Sequence, residues 1–131
     1  MVNRGGTKIG TQGLRWRARA PTRGYNVERD PLLAEIVRRL VVAYQPERIY
    51  LFGSRARGEV GPDSDYDVLV MVPDTAPPER RHSRLGYEAL WGTGVAVDIV
   101  VVTRGYYKWM LGAAASLPAT VDREGKLIYA N

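Results

Sequence analysis

From Pro31 onward, the apolar residues Leu32, Leu33, Ile36, Val37, Leu40, Val41 and Tyr44 recur at spacings of three and four, the period of one helical face. Asp30 supplies an N-cap, Pro31 suits the first helical position, and Pro46 closes the helix. The pattern then changes. Ile49 to Phe52 is a short apolar run with aromatic residues, the form of a buried strand, and it delivers the chain into Gly53. A short helix is expected over Ser54 to Arg57, and Gly61-Pro62-Asp63 signals a turn. Asp67 to Val72 reads as a second strand, Pro73 to Pro78 as a loop, and Glu79 to about Trp91 as a helix. Val95 to Val102 is a third strand interrupted only by Asp98; Thr103 can cap a helix over Tyr106 to Leu111, and Leu127 to Tyr129 adds an edge strand. Helices alternating with short strands predict an α/β (α+β) domain, a small mixed β-sheet flanked by helices.

The chain has 131 residues, near the commonest size for one domain. It contains no cysteine, which excludes disulfides and thiolate metal sites. Its apolar runs are too short to span a bilayer and no secretory signal pattern is present, so a cytoplasmic protein without membrane association is expected. The net charge of +5 suggests nucleic acid until its distribution is examined. Residues 1–26 hold six basic residues and no acid, whereas residues 27–131 hold 13 basic and 14 acidic ones. The basicity therefore belongs to residues 1–26, read as a flexible arm with five glycines and no sustained period. Residues 27–131 are the expected folded domain. Nucleic-acid contact through the arm is the less favoured reading.

Chemistry is concentrated in two places. Gly53-Ser54 forms a small turn ahead of a helix start, where the backbone can approach a phosphate closely and exposed N–H groups favour an anion. Arg55 or Arg57 could neutralise phosphate charge, and Arg57 is taken as the candidate. Asp65 and Asp67 flank Tyr66, so strand alternation points both carboxylates to one face. Paired hard-oxygen ligands of this kind suit Mg²⁺ together with substrate phosphates. Asp98 is the third candidate, because a charge inside an apolar strand is best tolerated if it faces a cation. Asp65, Asp67 and Asp98 on neighbouring strands would make a two-metal site for in-line attack on a nucleotide α-phosphate.

Two better-known motifs fail. Gly53 and Gly58 have P-loop spacing, but Glu59-Val60 stand where Lys-Ser/Thr is required. Asp63, Asp65 and Asp67 open like a calcium loop, but Val68 occupies the glycine position and Asp74 that of the bidentate Glu.

Gly53-Ser54-Arg55-Ala56-Arg57-Gly58, Ser64-Asp65-Tyr66-Asp67-Val68 and Val97-Asp98-Ile99-Val100 together resemble the signature of the DNA polymerase beta-like nucleotidyltransferase superfamily, over roughly residues 30–131. The length and the Ala-Arg-Gly continuation are similar to its minimal nucleotidyltransferase branch. The resemblance implies the polymerase beta-like nucleotidyltransferase fold, with Ser54 on the triphosphate and Asp65 and Asp67 on Mg²⁺. It further implies that Asp98 completes the metal site or accepts the proton of the attacking hydroxyl. It also implies AMP transfer from ATP with two Mg²⁺, and a HEPN-type helical partner that such an antitoxin silences by adenylylation. A non-catalytic antitoxin acting by occlusion and nucleotidyl transfer to tRNA are the alternatives. His82, beside Arg80, Arg81 and Arg84, is expected on a solvent-facing surface. Tyr106, Tyr107 and Trp109 are expected in the core or an interface, and Trp109 and Met110 are weaker candidates for covering the base.

Overall fold

The computed structural model describes residues 25–59 and 65–131. The arm, apart from Tyr25 and Asn26, lies outside the described residues, as do Ser64 and the turn at Gly61-Pro62-Asp63. The elements are α1 (Pro31–Tyr44), β1 (Arg48–Phe52), α2 (Gly53–Ala56), β2 (Tyr66–Val72), α3 (Ser83–Ala89), β3 (Val97–Thr103), α4 (Arg104–Met110), α5 (Leu117–Glu124) and β4 (Lys126–Ala130). Three-residue and four-residue 3₁₀ turns precede α1 and α3. The four strands form one mixed sheet in the order β3-β2-β1-β4. β1 pairs antiparallel with both β2 and β4, while β2 and β3 run parallel.

The starts of α1, α4 and α5 are capped by the side chains of Asp30, Thr103 and Ser116. The Asp30 side chain accepts from the Leu33 amide, with Pro31 in the first turn, so the amide left without a helical partner is satisfied. α1 then buries Leu33, Ile36, Leu40 and Tyr44 against one face of the sheet, on Ile49, Leu51, Val68, Val70, Val72 and Ile99. Each such side chain contributes roughly 1.5–3 kcal/mol when fully buried. Leu32, placed on the apolar stripe by spacing, is instead 53% exposed. It stands before the first full turn, where Asp30 and Pro31 fix the cap, and Leu33 takes the inward position.

The Tyr44 hydroxyl ties α1 to the next helical segment, donating to the His82 carbonyl at 2.5 Å and accepting from the Gly86 amide at 2.8 Å. A Cβ at Gly86 would lie 2.7 Å from Ile99 Cδ1 and 3.0 Å from the Tyr44 hydroxyl, so a side chain here would have to displace these neighbours. The expected continuous helix from Glu79 to Trp91 is divided: His82 is extended (φ −120°, ψ 145°), separating the 3₁₀ turn Pro78–Arg81 from α3.

The opposite face of the sheet carries α4 and α5. Tyr107 stacks on Tyr50 with ring centroids 5.6 Å apart, and Leu69, Met71 and Val121 complete this second core. α5 is absent from the sequence expectation, although Ser116 caps it by accepting from the Ala119 amide and Pro118 lies in its first turn. It spans only eight residues of low apolar content, shorter than the window over which an apolar stripe repeats. β4 pairs at the outer edge of β1, as expected from Leu127 to Tyr129. Among the described residues, no helix is long and apolar enough to cross a membrane.

Candidate functional site

Strand register assembles the site. Phe52 at the end of β1 is opposite Asp67 in β2, and Asp67 is opposite Asp98 in β3. One row across three strands thus ends in two carboxylates, with neighbouring strands about 4.8 Å apart. Gly53 follows Phe52 directly, so the glycine turn opens at the same end of the sheet as the acids. Tyr66 points to the α1 face, where it belongs to that core. Asp67 therefore points to the other face, as alternation requires. Asp65 is exposed just ahead of β2 and its charge acts on Asp67.

The Asp67 carboxyl is held above its ordinary value of 3.8, first by burial, then by the charge of Asp98 and a hydrogen bond with it, then by Asp65. Arg57 opposes the shift. Among the described residues no three acidic or histidine groups converge into a preformed metal cage. The arrangement is a close Asp67–Asp98 pair with Asp65 beside it. Hard carboxylate oxygens crowded until one resists ionisation are a donor set that a divalent cation fits, because the cation removes the repulsion.

Asp98 is not the buried charge that its apolar strand suggests. Asp98 is exposed, because β3 is the edge strand and the helical cover on this face includes Val100 and Val102 but stops short of it. It carries no large desolvation cost. Its register opposite Asp67, rather than burial, is what places it at the site.

At the turn, Gly53 has φ +75°, a left-handed conformation that favours glycine. A methyl group there would overlap Asp67 Oδ2 and lie 3.1 Å from Asp67 Cγ. Turn and carboxylate are thus in direct contact. α2 spans only four residues, so its anion preference rests on individual N–H groups rather than on a macrodipole. The Ser54 carbonyl accepts from the amides of Arg57 at 3.1 Å and Glu59 at 2.9 Å, which closes the turn.

The two arginines go different ways. The Arg57 guanidinium pairs with Glu59 at 3.2 Å and lies 3.9 Å from Glu124. Arg55 lies over the Tyr66 ring, 4.0 Å from its centroid. Behind the acids, the Tyr66 hydroxyl donates to Asp30, and burial followed by that hydrogen bond pushes it up to about 12. Spacing gives no sign of this link, since the partners are 36 residues apart.

His82 is exposed and only its backbone carbonyl is engaged by Tyr44. Tyr107 is core, whereas Tyr106 and Trp109 are 45% and 75% exposed and meet edge to face. A groove of about 560 Å³ runs beside β3 between α4 and α5, lined by residues including Val100, Val102, Tyr106, Met110 and Leu117. Met110 thus faces this groove, beyond Asp98 along β3, while Trp109 is not among its lining residues.

The Asp67 shift has a stability consequence. Because the native value is raised, the metal-free fold binds the proton more tightly than the unfolded chain, so stability falls as pH rises from 3.8 through the native value and the deficit persists above it. Glu35, held at about 2 by Arg38 and Arg39, works in the opposite direction, so only a comparison of variants isolates Asp67. Asp67→Asn is expected to melt at a higher temperature than the wild type at pH 7 without divalent cations, with the gap closing as Mg²⁺ is added. Thermal melts of both proteins at pH 5–8, with and without Mg²⁺, check this; equal melting temperatures in metal-free buffer would contradict it.

Comparisons with known proteins bear on the family and the fold. The family model described as nucleotidyltransferase domain matches residues 32–115. A bifunctional uridylyltransferase/uridylyl-removing enzyme of Psychrobacter sp. (strain PRwf-1) is 33% identical over 75 residues, which is 56% of this chain. That stretch is only 8% of the relative's length. A crystal structure from Sulfolobus solfataricus, assigned as a nucleotidyltransferase, shares the fold with a TM-score of 0.52 at 24% identity, covering 77% of this chain and 79% of that one. A toxin–antitoxin crystal structure with AMP-PNP aligns with a TM-score of 0.50 at 26% identity, covering 75% of this chain and 73% of that one.

Proposed function

The chain belongs to the nucleotidyltransferase domain family, and from that premise we propose that it transfers a nucleoside monophosphate, AMP from ATP, onto a hydroxyl of a partner protein. The observation that carries this reading is the row from Phe52 through Asp67 to Asp98, with the Gly53 turn touching Asp67. Phosphate-binding backbone and acidic side chains meet at one sheet end, as attack on a nucleotide α-phosphate demands.

In this mechanism the amides of the Gly53-Ser54 turn and the Ser54 hydroxyl bind the β- and γ-phosphates, and Arg57 adds positive charge nearby. Asp65, Asp67 and Asp98 would hold Mg²⁺, two ions in the full site, which supplies charge neutralisation on the triphosphate. Asp98, exposed on the edge strand, takes the proton of the acceptor hydroxyl. The acceptor oxygen bonds to the α-phosphorus, the bond from that phosphorus to the bridging oxygen breaks, and pyrophosphate leaves. Proton acceptance by a placed carboxylate is worth typically 10²–10⁴-fold.

ATP is preferred over other nucleotides because a relative of known structure was crystallised with AMP-PNP. That relative is a toxin–antitoxin assembly, which supports a toxin as the acceptor and an antitoxin role for this chain; the helical HEPN type of that toxin is carried by the sequence resemblance alone. The exposed Tyr106–Trp109 pair favours a second reading, in which the chain neutralises a toxin by occlusion alone. Co-expression of a neighbouring helical toxin with the Asp65→Ala/Asp67→Ala double variant separates them. Toxicity returns if transfer is the mechanism; undiminished neutralisation would sink the enzymatic account in favour of occlusion.

A further inference from the structure

We propose that Asp30 and Tyr66 are positioning residues, a carboxylate–phenol clamp on the α1 side of the sheet that fixes Asp65 and Asp67 on the other side and ties them to the Gly53-Ser54 turn. The proposal rests on the nucleotidyl-transfer reading and adds residues to it.

Tyr66 is the single residue between the two acids. It is 4% exposed, and its hydroxyl donates to both oxygens of Asp30, at 2.9 and 3.1 Å. Asp30 also accepts from the Leu33 amide at 3.1 Å and the Tyr25 hydroxyl at 3.0 Å. It also caps the 14-residue helix α1. The anchor is therefore a side chain held by several donors at once. From the other side, the Arg55 guanidinium lies on the Tyr66 ring. Arg55 is adjacent to Ser54, so the phosphate-binding turn and the acid-bearing strand share this ring.

The clamp acts through alternation. A rotation of the backbone at Tyr66 would swing Asp65 and Asp67 together, because both project opposite to its ring. Asp65 lies just outside the paired part of β2, where Tyr66 is the first residue to pair, through its amide on the Ala96 carbonyl at 3.1 Å. Its direction is thus set by how firmly Tyr66 is held. A position serving the core alone would be satisfied by phenylalanine. Here a phenol is kept, and its oxygen reaches the cap of a helix 36 residues away in sequence.

The test compares Tyr66→Phe and Asp30→Asn, the second of which retains a capping side chain, with Tyr25→Phe. The last removes a donor from the same carboxylate and leaves Tyr66 engaged. Mn²⁺ affinity is measured by titration calorimetry on the full chain, beside thermal melts and the kcat and KM for nucleotide transfer. Partners hydrogen-bonded directly to a metal ligand typically contribute ten- to a hundredfold. This clamp acts through the backbone, so Tyr66→Phe and Asp30→Asn are expected at the low end, weakening Mn²⁺ binding about tenfold and lowering kcat. Tyr25→Phe should change only the melting temperature. Unchanged Mn²⁺ affinity in Tyr66→Phe, with lowered melting alone, would overturn the clamp as a positioning device. A wild-type chain that binds no Mn²⁺ would overturn the transfer reading and the clamp together.

Discussion

Asp67→Asn is expected to lower nucleotide transfer by on the order of 10³-fold or more, while leaving a folded and, without metal, more stable protein. The loss follows from position. Asp67 is the centre of the row, in contact with the turn through Gly53 and paired with Asp98. As a carboxylate, Asp67 would act through the Mg²⁺ it holds, and neutralising charge on the transferring phosphoryl group in this way contributes roughly 3–4 kcal/mol, each 1.4 kcal/mol being tenfold in rate. The gain in stability follows from the same crowding, which raises the Asp67 carboxyl above its ordinary value. Opposite signs for activity and stability are the mark of a functional site held under strain. Single-turnover transfer rates measured beside thermal melts read both. A variant that lost activity together with stability would indicate a folding role for Asp67 instead.

The second large effect is expected at Gly53. Gly53→Ala places a methyl group into Asp67 Oδ2 and imposes a left-handed conformation on alanine. The conformational part costs about 1–2 kcal/mol. The clash must be relieved by moving the turn or the carboxylate, and a misplacement of about 1 Å can cost 10²-fold in rate. Transfer is therefore expected to fall about 10²-fold or more. Gly58 provides the control, with φ +80° and nothing within 4 Å of an added Cβ. Gly58→Ala should show the stability loss without the loss of transfer. Steady-state kcat/KM and melting curves for the two variants check this, and equal activity losses would show that conformation, not the Asp67 contact, matters at the turn.

Much of the frame was legible because its signals are local. The Asp30-Pro31 cap, the glycine after an apolar strand and the Asp-x-Asp at a strand start each declare their geometry within a few residues. The resemblance built on Gly53-Ser54, Asp65-Tyr66-Asp67 and Asp98 agrees with a family match over residues 32–115. Elsewhere the sequence misled for identifiable reasons. Helix α5 is short and low in apolar content, so its Ser116 cap had no long apolar run to announce. The break at His82 comes from an extended backbone where the side chains gave no turn signal.

Asp98 shows how a reason drawn from the sequence can fail in the fold. An acid in an apolar run suggested a buried charge, yet β3 is an edge strand and the residue is exposed. Which strand lies at the edge depends on pairing partners far apart in the chain, and periodicity does not encode it. The link from Tyr66 to Asp30 is of the same kind, visible only when α1 and β2 are packed together.

The central claim is that Asp65, Asp67, Asp98 and the Gly53-Ser54 turn move a nucleoside monophosphate. The most direct measurement incubates the purified chain and the proposed helical toxin with Mg²⁺ and ATP labelled on either the α- or the γ-phosphate. The account predicts that the α-label becomes covalently attached to the partner, with one pyrophosphate released per transfer, and that Asp67→Asn abolishes both. Attachment of the γ-label, or α-label transfer undiminished in Asp67→Asn, would contradict it.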